Sequence, residues 1–290
     1  MNEDVGLKAV SVVGKTPMVR ITPQLWAKLE TYNPTGSVKD RMAEFIFDEA
    51  SRRGELDGKD TIVEATSGNT GIAFARIGAI NNMRVVIIMP HNMSEERKKM
   101  MKLYGAEIIE VGFNAFKDAI VMRDELVESG AGYWSPRQFS NKDNIKCHQV
   151  KTGPEISEQT HGYKLEAFVS GAGTGGTMMG VKEFFDGIGL KNPKFVLVAP
   201  EESAEEHGIQ GINDGADFLV DRSQMDQIIE VKTEEAIERA RRLAKENGLL
   251  VGISAGANVL AAERWIEEHS PEGVVVTMLC DRGERYMGIL

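Results

Sequence analysis

Three segments hold residue types that chemistry can use. In Asn33-Pro34-Thr35-Gly36-Ser37-Val38-Lys39-Asp40-Arg41 a turn runs into an amphipathic stretch, so Lys39 falls in the first turn of a helix. The helix dipole disfavours a cation at that end, which suits a lysine that works as a neutral, imine-forming nucleophile. A lone lysine in such a place would otherwise read as a solvated side chain. Gly171-Ala172-Gly173-Thr174-Gly175-Gly176-Thr177 lies between a strand pattern and a helix pattern. Its backbone N–H groups then meet at a helix N-terminus and, with the threonine hydroxyls, form a place for a phosphate. Glu64-Ala65-Thr66-Ser67-Gly68-Asn69-Thr70-Gly71 also follows a strand pattern and precedes a helix. Its hydroxyls, amide and backbone donors can hold a carboxylate without an arginine, although a simple capped turn has the same composition. A fourth segment, Gly252-Ile253-Ser254-Ala255-Gly256, opens an alanine-rich helix with Ser254 near its N-cap, and plain capping accounts for it.

The glycine segment alone leaves its phosphate open. It also satisfies G-x-G-x-x-G, and Glu201 follows the next strand pattern roughly where a ribose-binding acid would stand, so a dinucleotide stays in play.

Short β-branched runs alternating with amphipathic stretches must position these segments, the pattern of βα units in a parallel sheet. Strands are expected at Thr61–Glu64, Val85–Met89, Glu107–Val111, Ala167–Ser170, Phe195–Ala199 and Val274–Leu279, enough for two sheets. Ser94 with Glu95 and Glu96 starts a helix that Gly105 stops, and Thr233 opens one that stops at Asn247-Gly248. A helix from about Thr177 should bury Val181, Phe184, Phe185 and Ile188. The acidic run Glu201–Glu206 reads as a solvated loop.

A chain of 290 residues suits two lobes around separate cores. Its net charge of −10 disfavours nucleic acid and anionic membrane as partners. Cys147 and Cys280 are too few and too far apart for a disulfide framework or a zinc site, and the five histidines show no ligand spacing, so no metal is expected. Without a basic-then-apolar N-terminus or an apolar run near the ~18 residues that span a bilayer, a cytoplasmic protein is expected.

Taken in order, S-V-K-D-R, T-S-G-N-T-G, G-A-G-T-G-G-T and G-I-S-A-G resemble the fold-type II pyridoxal-phosphate enzymes, in the cysteine synthase and cystathionine β-synthase branch. Cys280-Asp281-Arg282-Gly283-Glu284-Arg285-Tyr286 resembles the C-terminal signature of the cysteine synthase B type. The resemblance implies a two-lobed, tryptophan synthase β-like α/β fold, each lobe an open, mostly parallel sheet flanked by helices. Residues 1–37 and 146–290 would form a larger cofactor lobe, and 38–145 a smaller lobe that closes on substrate. By position, Lys39 would carry pyridoxal phosphate, Asn69 would meet its ring hydroxyl, Ser254 its ring nitrogen, and Gly173, Thr174, Gly175, Gly176 and Thr177 its phosphate. Thr66, Ser67, Asn69, Thr70 and Gln138 would receive the substrate, with Lys39 and Ser67 at the chemistry. The expected reaction is β-replacement, cysteine from O-acetylserine and sulfide by way of an aminoacrylate. The alternative is β-elimination or replacement on cysteine that releases hydrogen sulfide, including lanthionine and cystathionine synthesis. Neither cysteine is given a catalytic role. The family is usually homodimeric and binds the C-terminal tail of serine acetyltransferase.

The sequence departs from its relatives at Gly208-Ile209-Gln210-Gly211-Ile212-Asn213-Asp214-Gly215. Thiosulfate-using type B enzymes have an arginine pair in this region, and no such fork is offered here, so sulfide or a small thiol is the expected nucleophile. Family members commonly carry a G-I-G-x-G-F loop, so Asn213 and Asp214 bring an amide and a carboxylate to the mouth of the site. Asp214 as a base toward water or a second substrate would favour sulfide release; a loop aspartate facing solvent is the plainer reading.

Overall fold

The computed structural model describes residues 12–113, 115–189, 193–203, 206–212 and 218–290. In chain order the elements are β1 (Met18–Arg20), β2 (Leu25–Leu29), α1 (Lys39–Arg52), β3 (Thr61–Ala65), α2 (Asn69–Asn81), β4 (Arg84–Pro90), α3 (Glu95–Leu103), β5 (Glu107–Val111), α4 (Phe116–Glu128), β6 (Tyr133–Trp134), α5 (Asp143–Cys147), α6 (Gly153–Gln159), β7 (Leu165–Gly171), α7 (Gly176–Gly187), β8 (Lys194–Pro200), β9 (Gln227–Val231), α8 (Thr233–Asn247), α9 (Ile253–His269) and β10 (Val274–Leu279). A π-helical turn, His148–Thr152, joins α5 to α6.

Two compact units divide these elements. One holds Gly14–Ile46 with Arg137–Leu290, and the other holds Phe47–Pro136. Lys39 therefore belongs to the larger unit. Its sheet runs β1-β2-β10-β7-β8-β9, with only the β1–β2 pair antiparallel. The smaller unit has the all-parallel order β5-β4-β3-β6.

Parallel strands covered on both faces explain the continuous apolar runs. In the larger unit, Val196, Val198 and Val275 face α8 and α9, while Phe168, Phe195, Leu197 and Val276 join the core that contains Met178, Val181 and Phe185 of α7. In the smaller, Val63, Ala65, Val86 and Ile88 pack with Ala119 of α4. Each of the six expected strands is present, four of them longer than predicted by one to three residues.

Some expectations need correction. Ile188, placed on the buried stripe of α7, is instead the C-cap residue and 49% exposed, so the stripe ends with Phe185. Glu202, read as part of a solvated loop, accepts from Thr233 N at 2.8 Å and satisfies a first-turn donor of α8. Ser254 is not a cap. Gly252 holds that position without a side-chain bond, and Ser254 lies inside the first turn of α9. No helix of the described residues is long and apolar enough to cross a membrane.

Candidate active site

Lys39 opens α1, and its neighbours on both sides are pinned. Asp40 Oδ2 accepts from Thr35 N and Thr35 Oγ1 at 2.8 and 2.9 Å, which closes the preceding turn. Arg41, fully buried, donates to Glu30 at 2.6 and 2.9 Å and to both oxygens of Glu155 at 2.8 Å. Lys28, buried in β2, reaches Glu155 at 2.6 Å. Two cations thus meet two carboxylates, the condition under which such charges survive out of water. Burial alone would raise the pKa of Glu155, but Arg41 and Lys28 outweigh it and hold the carboxyl at about 2. Glu30 is likewise held below the usual range, its desolvation outweighed chiefly by Arg41.

The C-terminal signature clamps the same turn from outside. Ser37 bridges Asp281, Val38 N donates to Cys280 O at 2.9 Å, and Arg282 N donates to Gly36 O at 3.2 Å. Arg285 donates to the carbonyls of Thr35 and Gly36. The fixed backbone leaves Lys39 little freedom except in its own side chain.

The glycine segment joins β7 to α7. Gly175, the N-cap residue, has φ +92°, a conformation in which other side chains are strained, and offers no side chain to cap the helix. Apart from Gly176 N, which donates to Thr174 Oγ1 at 3.4 Å, the first-turn N–H groups of α7 are open to an outside acceptor. A Cβ on Gly173, Gly175 or Gly176 would run into Gly211 O, Val220 N or Asn144 Oδ1, so only a bare backbone fits this frame. Asn144 holds the loop by donating to Thr174 Oγ1 at 2.9 Å and to the carbonyl of buried Gln138 at 3.0 Å. Thr177 Oγ1 lies 3.2 Å from His148 Nε2, and His148 Nδ1 lies 2.8 Å from Thr152 Oγ1. Burial, helped by the charge of Arg41, pushes the His148 pKa down to about 3, so the ring is neutral.

The charge of Lys39 bears on both His148 and Cys280, and Cys280 shares a hydrogen bond with Ser254. Within the larger unit, Lys39 and Ser254 each act on Cys280, and Lys39 and Thr177 each on His148. Desolvation and the neighbouring Asp281 push the Cys280 thiol up to about 12, which keeps it neutral and a poor nucleophile. Asn258, one turn after Ser254, accepts from Gly171 N at 2.8 Å and donates to Met278 O at 2.9 Å. It stitches together the carboxyl ends of β7 and β10, the side on which open α/β sheets bind ligands.

Thr66, Ser67, Asn69 and Thr70 come together separately, in the smaller unit, between β3 and α2. Gly68 is the N-cap residue of α2 and again offers no side-chain cap. Thr66 and Thr70 are buried, and Thr66 Oγ1 accepts from Gly68 N at 3.1 Å. Asn213 and Asp214 lie outside the described residues. His148, Asn144, Asn258 and Arg41 belong to the site's framework; the sequence patterns included Arg41 in the lysine motif without a role and passed over the other three. The one local signal was a polar Asn258 a helical turn beyond Ser254 in an alanine-rich helix.

The family described as pyridoxal-phosphate dependent enzyme matches residues 10–281. A cysteine synthase from Staphylococcus aureus is 40% identical, over 95% of this chain and 94% of its own length. Cysteine synthase B from Escherichia coli K12 is 38% identical, over 95% and 92%. Among solved structures, a hydrogen sulfide-producing enzyme from Fusobacterium nucleatum matches with a TM-score of 0.89 at 37% identity, over 95% of this chain and 88% of that one. The dinucleotide alternative falls with these matches. The glycine-framed N-terminus of α7 suits a phosphate monoester, and the lysine on a pinned turn that opens α1 suits a cofactor held as an imine, so the residues present fit the group. The chain belongs to the pyridoxal-phosphate-dependent enzymes, in the branch of the cysteine synthases.

Proposed function

We propose that the protein makes cysteine by β-replacement, exchanging the acetoxy group of O-acetylserine for sulfide. The observation that carries this reading is Lys39 on a turn pinned against Cys280, in the unit that also offers the glycine-framed N-terminus of α7. When bound, pyridoxal phosphate supplies an electron sink for the substrate's α-carbon. Gly173, Thr174, Gly175, Gly176 and Thr177 would hold the phosphate, and Asn69 would meet the ring hydroxyl. Ser254 would present a hydroxyl, not a carboxylate, to the ring nitrogen, a partner that would favour loss of a β-substituent over transamination. Thr66, Ser67, Thr70 and Gln138 take the substrate carboxylate. The amine of Lys39 would serve as the base that removes the substrate's α-proton.

A second reading, hydrogen sulfide release from cysteine, has support from the likeness to the hydrogen sulfide-producing enzyme of Fusobacterium nucleatum and from the carboxylate of Asp214. O-acetylserine and then sulfide, added to the purified protein with its visible spectrum recorded, separate the two. A rapid spectral change reversed by sulfide, with cysteine formed, supports the synthase. Steady sulfide release from cysteine with little response to O-acetylserine supports the degradative enzyme, and Asp214→Asn should then reduce release. A cytoplasmic homodimer that accepts the C-terminal tail of serine acetyltransferase completes the proposal; sedimentation and a tail-peptide pulldown test it.

A further inference from the structure

The Thr66–Thr70 segment has no cation of its own, yet the fold brings one to it. Arg97, on α3 and only 3% exposed, donates from Nη1 to Ser67 O at 3.3 Å. Its side chain fills the space beside Gly68, where a Cβ would stand 2.5 Å from Cδ and 2.9 Å from Nε and Nη1. Gly68 is thus the residue that lets a guanidinium lie against the loop. The arginine's own backbone is anchored at the cap of α3, where its N–H donates to Ser94 Oγ at 3.4 Å.

This contact fixes a peptide plane. The Ser67–Gly68 peptide gives its carbonyl to Arg97 and its N–H to Thr66 Oγ1. Thr66, already an acceptor, keeps its own hydroxyl proton for an outside group. The guanidinium also adds positive charge beside the N-terminus of α2, itself a positive end. Two like fields over one buried loop favour an anion there.

We infer that Arg97 is a positioning residue for the substrate's α-carboxylate, acting through the Ser67–Gly68 peptide and through its charge without touching the ligand. The inference rests on the reading of Thr66–Thr70 as the carboxylate site. L-methionine and L-methioninamide, which carry no leaving group on Cβ, probe it on the cofactor-loaded protein by the shift they cause in the visible absorbance band. Arg97→Met should weaken methionine about tenfold and leave methioninamide within about twofold. Arg97→Lys, which keeps the charge and loses the fork, should fall between, and it carries the test if the methionine variant does not fold. Equal weakening of acid and amide would make Arg97 a mere shaper of the loop and overturn the assignment, as would discrimination unchanged in both variants. A wild-type protein that binds acid and amide alike removes the carboxylate reading of the loop, and the role of Arg97 with it.

Discussion

A neutral buried imidazole acts through the direction of its hydrogen bonds. Were Thr152 to donate into Nδ1, His148 would carry its proton on Nε2, donate to Thr177 and leave that hydroxyl's proton for a phosphate oxygen. Thr152→Val should then weaken pyridoxal phosphate about fivefold, the worth of one neutral hydrogen bond, and leave dephosphorylated pyridoxal unaffected. Cofactor retention after dialysis, read by absorbance, checks it. Lys39→Ala should keep the fold, because the turn is held through its backbone and its neighbours, and should lose only the covalent link. Borohydride reduction followed by mass spectrometry should place the cofactor on Lys39 in the wild type and nowhere in the variant.

Elements that carry their own pattern were legible, and those completed by distant partners were not. The runs that became β4, β8 and β10 read as strands because burial on both faces demands continuous apolar sequence. β2 carries the buried Lys28, which is tolerable there because Thr16 accepts from it and Glu155, far along the chain, supplies the opposite charge. β6 has two residues and β1 and β9 are sheet edges, too short or too alternating to stand out. The site divides in the same way. Lys39 and the two glycine-containing loops are local motifs, whereas His148, Asn258 and Arg97 acquire roles only through tertiary contacts. Glu155→Gln tests the ion-pair framework of β2, α1 and α6: with one carboxylate left for two buried cations, stability should fall by about 3 kcal/mol in urea unfolding.

For the whole molecule, buried titrating groups set the pH limits. His148 has a folded pKa of about 3 against an ordinary 6.5, so the unfolded chain binds the proton first. Its contribution is complete above about pH 6.5 and drains at about 1.4 kcal/mol per pH unit as pH falls toward 3. Glu155, also depressed, adds a loss between its ordinary 4.5 and about 2. On the alkaline side Cys147 and Cys280 are raised from 9.0 to about 12, so stability is lost as pH rises through that window. Urea midpoints across pH should show a plateau between about 6.5 and 9, and Cys147→Ala should make the alkaline fall shallower. The clamp on the Lys39 turn also fixes when a growing chain can work. Arg285, which grips Gly36, lies 249 residues downstream of it, so during synthesis the lysine leaves the ribosome long before anything can hold it in place. Cofactor capture is then a property of finished chains, and a stalled or shortened product stays colourless and draws nothing from the cell's pool of the vitamin.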